Sequence, residues 1–275
     1  MIFICGKYQL DLAKPLVMGI VNVTPDSFSD GGRYISTNKA VEYALQLVEE
    51  GAQILDIGGE STRPGATPAG LAEELLRVIP VIEALVKLVK IPLSIDTYKP
   101  QVMQAAVLAG VSMVNDIKAM QEPNALEVVS KSDVGICLMH MLGTPQTMQA
   151  DPQYGDVVGD VKAFLIARLK ASIDAGIDRN RILLDPGFGF GKRTEHNITL
   201  LQQLPLIVDI GQPVLVGLSR KSVLGQVLGD NQSDRVSASI AASVVAVMNG
   251  ANVLRVHDVK ATVDALKVVM AIQGN

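Results

Sequence analysis

Eight short apolar runs alternate with longer amphipathic stretches from one end of this chain to the other. The runs occupy 16–21, 54–57, 93–95, 113–114, 135–139, 182–184, 214–217 and 253–256. Helix-length stretches lie near 38–50, 72–89, 100–109, 124–130, 157–175, 194–203, 236–249 and 259–272. The runs are too short for buried helices and too continuous for strands half open to water. They read as parallel strands covered on both faces. Gly51, Gly110, Gly176 and Gly250 follow helices closely, as C-terminal caps do. Eight βα units in roughly 250 residues predict an α/β fold, a (β/α)8 TIM barrel. It is expected to form one domain over residues 1–275. A doubly wound sheet is the alternative, but it usually has fewer strands at this length. Residues 2–5 and 8–12, around Gly6-Lys7, predict a small hairpin ahead of the first barrel strand.

Composition removes several function classes. Lys and Arg number 24 against 28 Asp and Glu, a net charge of −4, so no broad basic face awaits nucleic acid. An anion site must then be a local cluster. Hydrophobic residues make up 48% of the chain, ample for a core, and disorder is excluded. Cys5 and Cys137 have neither disulfide nor metal-ligand spacing, and Cys137, inside an apolar run, reads as a buried reduced thiol. The N-terminus lacks a signal-peptide pattern, and no window reaches about 18 uninterrupted apolar residues. A cytoplasmic protein without membrane or nucleic-acid partners is expected.

In a parallel barrel, chemistry gathers at the C-terminal ends of the strands. Those ends carry Asn22, Gly58-Gly59-Glu60, Asp96, Asn115-Asp116, His140, Asp185, Ser219-Arg220-Lys221 and Arg255-Val256-His257. A strand must end in something polar, which is reason enough for Glu60, Asp116 and Arg220 taken singly. It is a poor reason for Asp96, Asn115 and Asp185 facing cationic ends in one small mouth. These three are acceptors suited to a flat heterocycle with adjacent N–H donors. Arg63, Arg255 and His257 suit an anion with several oxygens, such as a pyrophosphate. Asn22 offers a neutral oxygen to a hard cation such as Mg²⁺. Lys221 can serve either subset as a compact charge.

Two long loops follow the first two barrel strands. Residues 22–37 show no helix period and carry Phe28, while 61–70 hold Thr62, Arg63 and Pro64. Gly31-Gly32 and Pro68 are ordinary turn chemistry, but long loops at this end are also where lids reside. The GFGFG stretch within 185–192 lacks the spacing of a nucleotide fingerprint. It reads as a tight loop that brings Phe190 to the mouth. Phe188 is assigned to the core, and Phe190 stays open between core and ligand.

Seven segments, 21–32, 58–65, 94–97, 115–117, 184–192, 217–222 and 255–259, resemble the dihydropteroate synthase family, in its order. The resemblance runs from about residue 16 to 270, with two local departures. Lys118 stands where many members have a small residue, and the connection 204–213 is short. The resemblance implies condensation of 6-hydroxymethyl-7,8-dihydropterin pyrophosphate with 4-aminobenzoate, with Mg²⁺, in folate biosynthesis. Asp96, Asn115 and Asp185 would then take the pterin, with Lys221 on another edge. Thr62, Arg63, Arg255 and His257 would hold the pyrophosphate, and Asn22 the Mg²⁺. Phe28, Pro64, Phe190 and Ser219 would enclose the aminobenzoate, its carboxylate near Ser219 and Ser222. The family is thought to break the bond to pyrophosphate before attack, leaving a pterin-stabilised methylene cation. Catalysis by Arg63, Lys221, Arg255 and His257 would then stabilise a departing anion more than deprotonate a nucleophile.

Two other readings stay on the table. A pterin-binding barrel could pass a methyl group from methyltetrahydrofolate to a corrinoid protein, but it has no use for Thr62-Arg63-Pro64 or Asn22. A silent paralogue could keep the fold alone, although every matched polar position is filled. Helix 236–248 has almost no polar face, which predicts a homodimer through the last helices.

Overall fold

The computed structural model describes residues 1–24, 33–61, 65–230, 232 and 234–274, with backbone only for 33–36. An antiparallel hairpin of β1 (Ile2–Cys5) and β2 (Tyr8–Asp11) opens the chain. Eight parallel strands follow: β3 (Leu16–Asn22), β4 (Ile54–Gly58), β5 (Leu93–Asp96), β6 (Met113–Asp116), β7 (Gly135–Met139), β8 (Ile182–Asp185), β9 (Leu215–Val216) and β10 (Val253–Val256). Their order is β8-β7-β6-β5-β4-β3-β10-β9, and a parallel bridge between Leu184 and Val214 brings the two ends together. The result is the expected barrel with its hairpin.

The helices between the strands are α1 (Arg33–Glu49), α2 (Leu71–Leu88), α3 (Pro100–Ala109), α4 (Ala125–Ser130), α5 (Val157–Asp174), α6 (Thr194–Gln202), α7 (Pro205–Val208), α8 (Ser222–Leu228), α9 (Val236–Met248) and α10 (Val259–Gln273). One boundary corrects the sequence reading. Helix α1 starts at Arg33, inside the segment 22–37 expected to be loop throughout. The β-branched and aromatic residues at 34–37 lower helix propensity without forbidding it. Once 38–49 is helical, each added residue gains a hydrogen bond. Among the described residues, no helix is long and apolar enough to cross a membrane.

Strand parity divides the core in two. Outward residues such as Val17, Leu55, Ile57, Ile95, Val114 and Leu138 pack under the helices. Inward residues Met18, Ile54, Met113, Cys137, Leu183, Leu215 and Val253 fill the barrel and meet Phe3, Cys5 and Leu12. The N-terminal segment therefore stoppers the lower end. Gly135 makes room for it, since a Cβ there would lie 2.6 Å from Phe3 Cζ. Cys5 and Cys137 are both buried free thiols, as expected for Cys137, and burial pushes Cys5 up to about 12.

One rung above this apolar plug the interior turns polar. Paired positions run Asn22–Gly58, Gly58–Asp96, Asp96–Asn115 and Asn115–Cys137. Asn22, Asp96 and Asn115 thus share a single row around the upper wall.

Candidate active site

The floor of the mouth is a charged knot. Asp56 points inward on β4, two residues above Ile54, and is fully buried. Its Oδ2 accepts the Asn115 amide at 2.9 Å and Arg255 Nε at 2.5 Å. Arg255 Nη2 also donates to Asp96 Oδ2 at 2.7 Å. Burial raises Asp96 to about 7, with Arg255 pulling it down and Asp56 pushing it up. Burial opposes the charge on Arg255, but Asp56 and Asp96 more than offset it and hold the guanidinium above its ordinary value. With its NH₂ given to Asp56, Asn115 keeps Oδ1 as the atom it can offer as an acceptor.

Asp185 ends β8 and is buried. Its Oδ1 accepts the Gly187 N–H at 2.7 Å, which starts the glycine-rich turn. Burial raises its carboxyl, opposed by Lys221 and the Gly187 bond. The turn needs its glycines: at Gly187 φ is +69°, and a Cβ would sit 1.8 Å from the His140 carbonyl oxygen. Lys192 closes the turn from beneath. Its Nζ donates to the carbonyls of Gly187 (2.9 Å) and Phe190 (3.1 Å) and meets His140 Nδ1 at 2.9 Å. Burial lowers Lys192 well below the usual range and takes His140 to about 3, where it is neutral. His140 and Lys192 are therefore fixtures of the loop.

The pinned loop sets the two phenylalanines apart. Phe188 is fully buried in the outer core, as expected. Phe190 is half-buried, with Lys221 Nζ 4.5 Å from its ring centroid. Lys221 also donates to the Phe188 carbonyl. Burial lowers its ammonium to about 8, against the pull of Asp185.

Beside Lys221, Ser219 Oγ lies 3.0 Å from His257 Nδ1 and accepts the His257 backbone N–H at 3.1 Å. The three residues read as ordinary strand ends each have local partners. Both Asp116 oxygens take backbone N–H groups, of Lys118 and Met120, at 2.7 Å. Arg220 pairs with Asp258, and Glu60 with Lys99. Asn22 stands half-buried at the end of β3. Phe28, Thr62, Arg63 and Pro64 lie outside the described residues.

The structure thus brings Asp96, Asn115, Lys221, Asp185 and Arg255 together, with Ser219 and His257 paired beside them. Sequence reasoning missed Asp56 and Lys192. The signal for Asp56 was there: a lone charge inside the run Ile-Leu-Asp-Ile-Gly, in phase with Ile54 and Gly58.

A family model described as pterin binding enzyme matches residues 18–257. Dihydropteroate synthase of Escherichia coli (strain K12) is 49% identical over 263 residues, 96% of this chain and 93% of that protein. A solved structure of Xanthomonas albilineans dihydropteroate synthase with 4-aminobenzoic acid matches at 53% identity with a TM-score of 0.91, covering 97% of this chain and 96% of that one. Dihydropteroate synthase from the same organism in complex with 7,8-dihydropteroate matches over 100% of both chains, at 49% identity and a TM-score of 0.91. A polar-floored barrel mouth and close similarity over nearly the whole length lead to one assignment: the chain belongs to the dihydropteroate synthase family of pterin-binding enzymes.

Proposed function

We propose that this chain joins 4-aminobenzoate to 6-hydroxymethyl-7,8-dihydropterin pyrophosphate, giving 7,8-dihydropteroate and pyrophosphate. The observation that carries the reading is the polar floor: acceptors Asp96, Asn115 and Asp185 ring the mouth, with Lys221 on its wall. Asp185 accepts from the pterin amino group and ring N–H, Asn115 and Asp96 complete that edge, and Lys221 donates to the ring nitrogen and carbonyl.

The departing anion falls to the cations. Arg255 spends Nε and Nη2 on Asp56 and Asp96, which leaves Nη1 to reach pyrophosphate beside His257, Thr62 and Arg63. Among the described residues no group of three or more His, Cys, Asp or Glu could hold a metal. The Asn22 amide oxygen, half-buried at the end of β3, is a neutral hard donor that would hold Mg²⁺, leaving the rest of its shell to water and pyrophosphate oxygens. When bound, Mg²⁺ offsets negative charge on the leaving group.

The C–O bond to pyrophosphate breaks with its electron pair, the aryl nitrogen bonds to the methylene carbon, and the amine releases a proton. A neutral aryl amine asks for no strong base. Ser219 and His257 do form a hydroxyl–imidazole pair, but a transfer to nitrogen gives that hydroxyl no nucleophilic task. Phe28, Pro64, Phe190 and Ser219 enclose the aminobenzoate.

A second copy of the chain is proposed to cover the last helices. Helix α9 turns Ser239, Ala242, Ser243 and Ala246 inward and leaves Val245 43% and Met248 66% exposed. Val268 and Ile272 of α10 are exposed as well. Sedimentation at micromolar concentration should give twice the chain mass; a monomer alone would remove the dimer. The cytoplasm, where buried Cys5 and Cys137 stay reduced, suits the reaction.

Pyrophosphate release from the pterin substrate, measured with and without aminobenzoate, tests the reaction. Release that requires aminobenzoate and matches dihydropteroate formed is expected. A methyl transfer would move no pyrophosphate, and a silent paralogue would release none.

A further inference from the structure

The turn Ser219-Arg220-Lys221, after β9, reaches across the seam where the barrel closes. Ser219 Oγ meets His257 beyond β10, while Lys221 donates to the Phe188 carbonyl in the turn after β8. The seam itself is thin: β9 has two residues, and a single parallel bridge joins Val214 to Leu184 of β8. The placement of both side chains therefore depends on the turn that carries them. Between them, Arg220 has φ +57°, in the left-handed region that a residue with a Cβ enters only under strain. Glycine would adopt it freely, yet an arginine stands there.

Hydrogen bonds pin this arginine at backbone and side chain. Its N–H donates to Ser239 Oγ on α9 at 2.9 Å, and its carbonyl accepts Arg235 Nη1 at 3.1 Å. Ser239 is buried, and its hydroxyl donates to the Arg235 carbonyl at 2.6 Å. The Arg220 guanidinium forks onto Asp258, Nε to Oδ2 at 3.0 Å and Nη2 to Oδ1. Asp258 is held in turn at the start of α10, where its carbonyl takes the Thr262 N–H at 3.1 Å and the Thr262 hydroxyl at 2.8 Å. The Arg220 side chain is 51% exposed. An ion pair with so open a partner adds little to stability, which is a weak reason for an arginine at a strained position. Orientation of its two neighbours is a better one.

We propose that Asp258 is a positioning residue of the reaction: by gripping Arg220, it holds the strained turn that sets Lys221 beside the glycine loop and Ser219 against His257. The proposal rests on the reading that Lys221 and Ser219 belong to the reaction site. Without the fork, the backbone at Arg220 is free to relax toward ordinary dihedrals, and a change of region at one residue redirects the chain that follows it. Lys221 then leaves the Phe188 carbonyl, and its charge moves away from Asp185. Asp96, Asn115 and Asp185, on β5, β6 and β8, keep their own places.

The test asks whether the effect of Asp258 passes through Lys221. The probe is 6-hydroxymethyl-7,8-dihydropterin without its pyrophosphate, so that His257 does not enter the measurement. Asp258→Asn, nearly isosteric, should weaken its binding by about fivefold in calorimetry. Arg220→Gly should weaken it by about tenfold while the thermal unfolding midpoint stays at or above wild type, because glycine enters the left-handed region freely. In a Lys221→Met background, Asp258→Asn should cost less than about twofold more. Wild-type affinity in Asp258→Asn and Arg220→Gly, an added loss in the Lys221→Met background as large as in wild type, or losses that track a lowered unfolding midpoint would overturn the proposal. If Lys221→Met itself bound the pterin as tightly as wild type, the reading of the site would fall and this one with it. A weakened Lys221→Met beside indifferent Asp258 and Arg220 variants would remove this proposal alone.

Discussion

The Asn115 amide and the Asp56 carboxylate meet at 2.9 Å inside the barrel, and this contact decides which way the Asn115 side chain faces. Asp56 also holds Arg255, so one buried carboxylate orients a neutral acceptor and a cation at once. Asp56→Asn removes the charge that Arg255 answers and lets the Asn115 amide turn over. Pterin affinity should fall by ~1.5–3 kcal/mol, the scale of a charge-assisted hydrogen bond. Calorimetry with the pterin substrate, alongside circular dichroism, checks this. Unchanged affinity in a folded variant would place Asp56 outside recognition.

For Asp185 the direction of the effect is forced by its own loop. Oδ1 is already committed to the Gly187 N–H. In Asp185→Asn that donor claims the amide oxygen, so the NH₂ must face the mouth and meet the pterin donors head on. Binding should weaken by at least ~1.5–3 kcal/mol, with the fold retained. Equal pterin affinity for Asp185→Asn and wild type would show that the carboxylate faces elsewhere.

The pH profile follows from two displaced groups. Asp96 is raised to about 7 and is the stronger, acceptor-only group when ionised, so kcat/KM for the pterin substrate should climb as pH rises through about 7. Lys221 is lowered to about 8 and donates as an ammonium, so kcat/KM should decline above about 8. A narrow maximum between these values is expected. Lys221→Arg should flatten the alkaline limb, because a guanidinium stays charged there. A flat wild-type profile across both values would contradict this assignment.

Phe3 gives a prediction on stability rather than chemistry. It is fully buried against Gly135, among the inward side chains of the barrel. Phe3→Ala should reduce unfolding free energy by about 3–5 kcal/mol. Activity per folded molecule should stay near wild type, since the chemistry lies at the other end. Denaturant titration and active-site-normalised rates separate the two outcomes.

The fold was legible because the apolar runs are short, continuous and evenly alternated with helical stretches. The closing seam was harder to read. Run 214–217 shrinks to the two residues of β9: Val214 gives its N–H to the Asn252 side chain at 2.9 Å and meets Leu184 only through a single parallel bridge. Reading strand ends located Asp96, Asn115, Asp185, Lys221 and Arg255. It missed Asp56 because that residue sits mid-strand, where only parity reveals that it faces the interior. Lys192 was hidden for another reason: its burial depends on the glycine turn folding back over it. That Arg255 spends two donors on carboxylates is a property of distance across the barrel, from β10 to β4 and β5, and no local pattern encodes it.

The stoppered lower end has a consequence for traffic. A barrel corked by its own first residues is a flask with one neck, so both substrates enter and both products leave along the same route. On the proposed reading, the bicyclic ring goes to the bottom, onto Asp96, Asn115 and Asp185, and the aryl group lies above it near Phe190. The joined product therefore cannot back out until its upper half has cleared the neck, and a fresh ring cannot settle until the floor is vacant. On that reading the pterin substrate must enter such a vessel before the aminobenzoate, and a bulky aminobenzoate mimic joined to the ring would cork the neck from the inside.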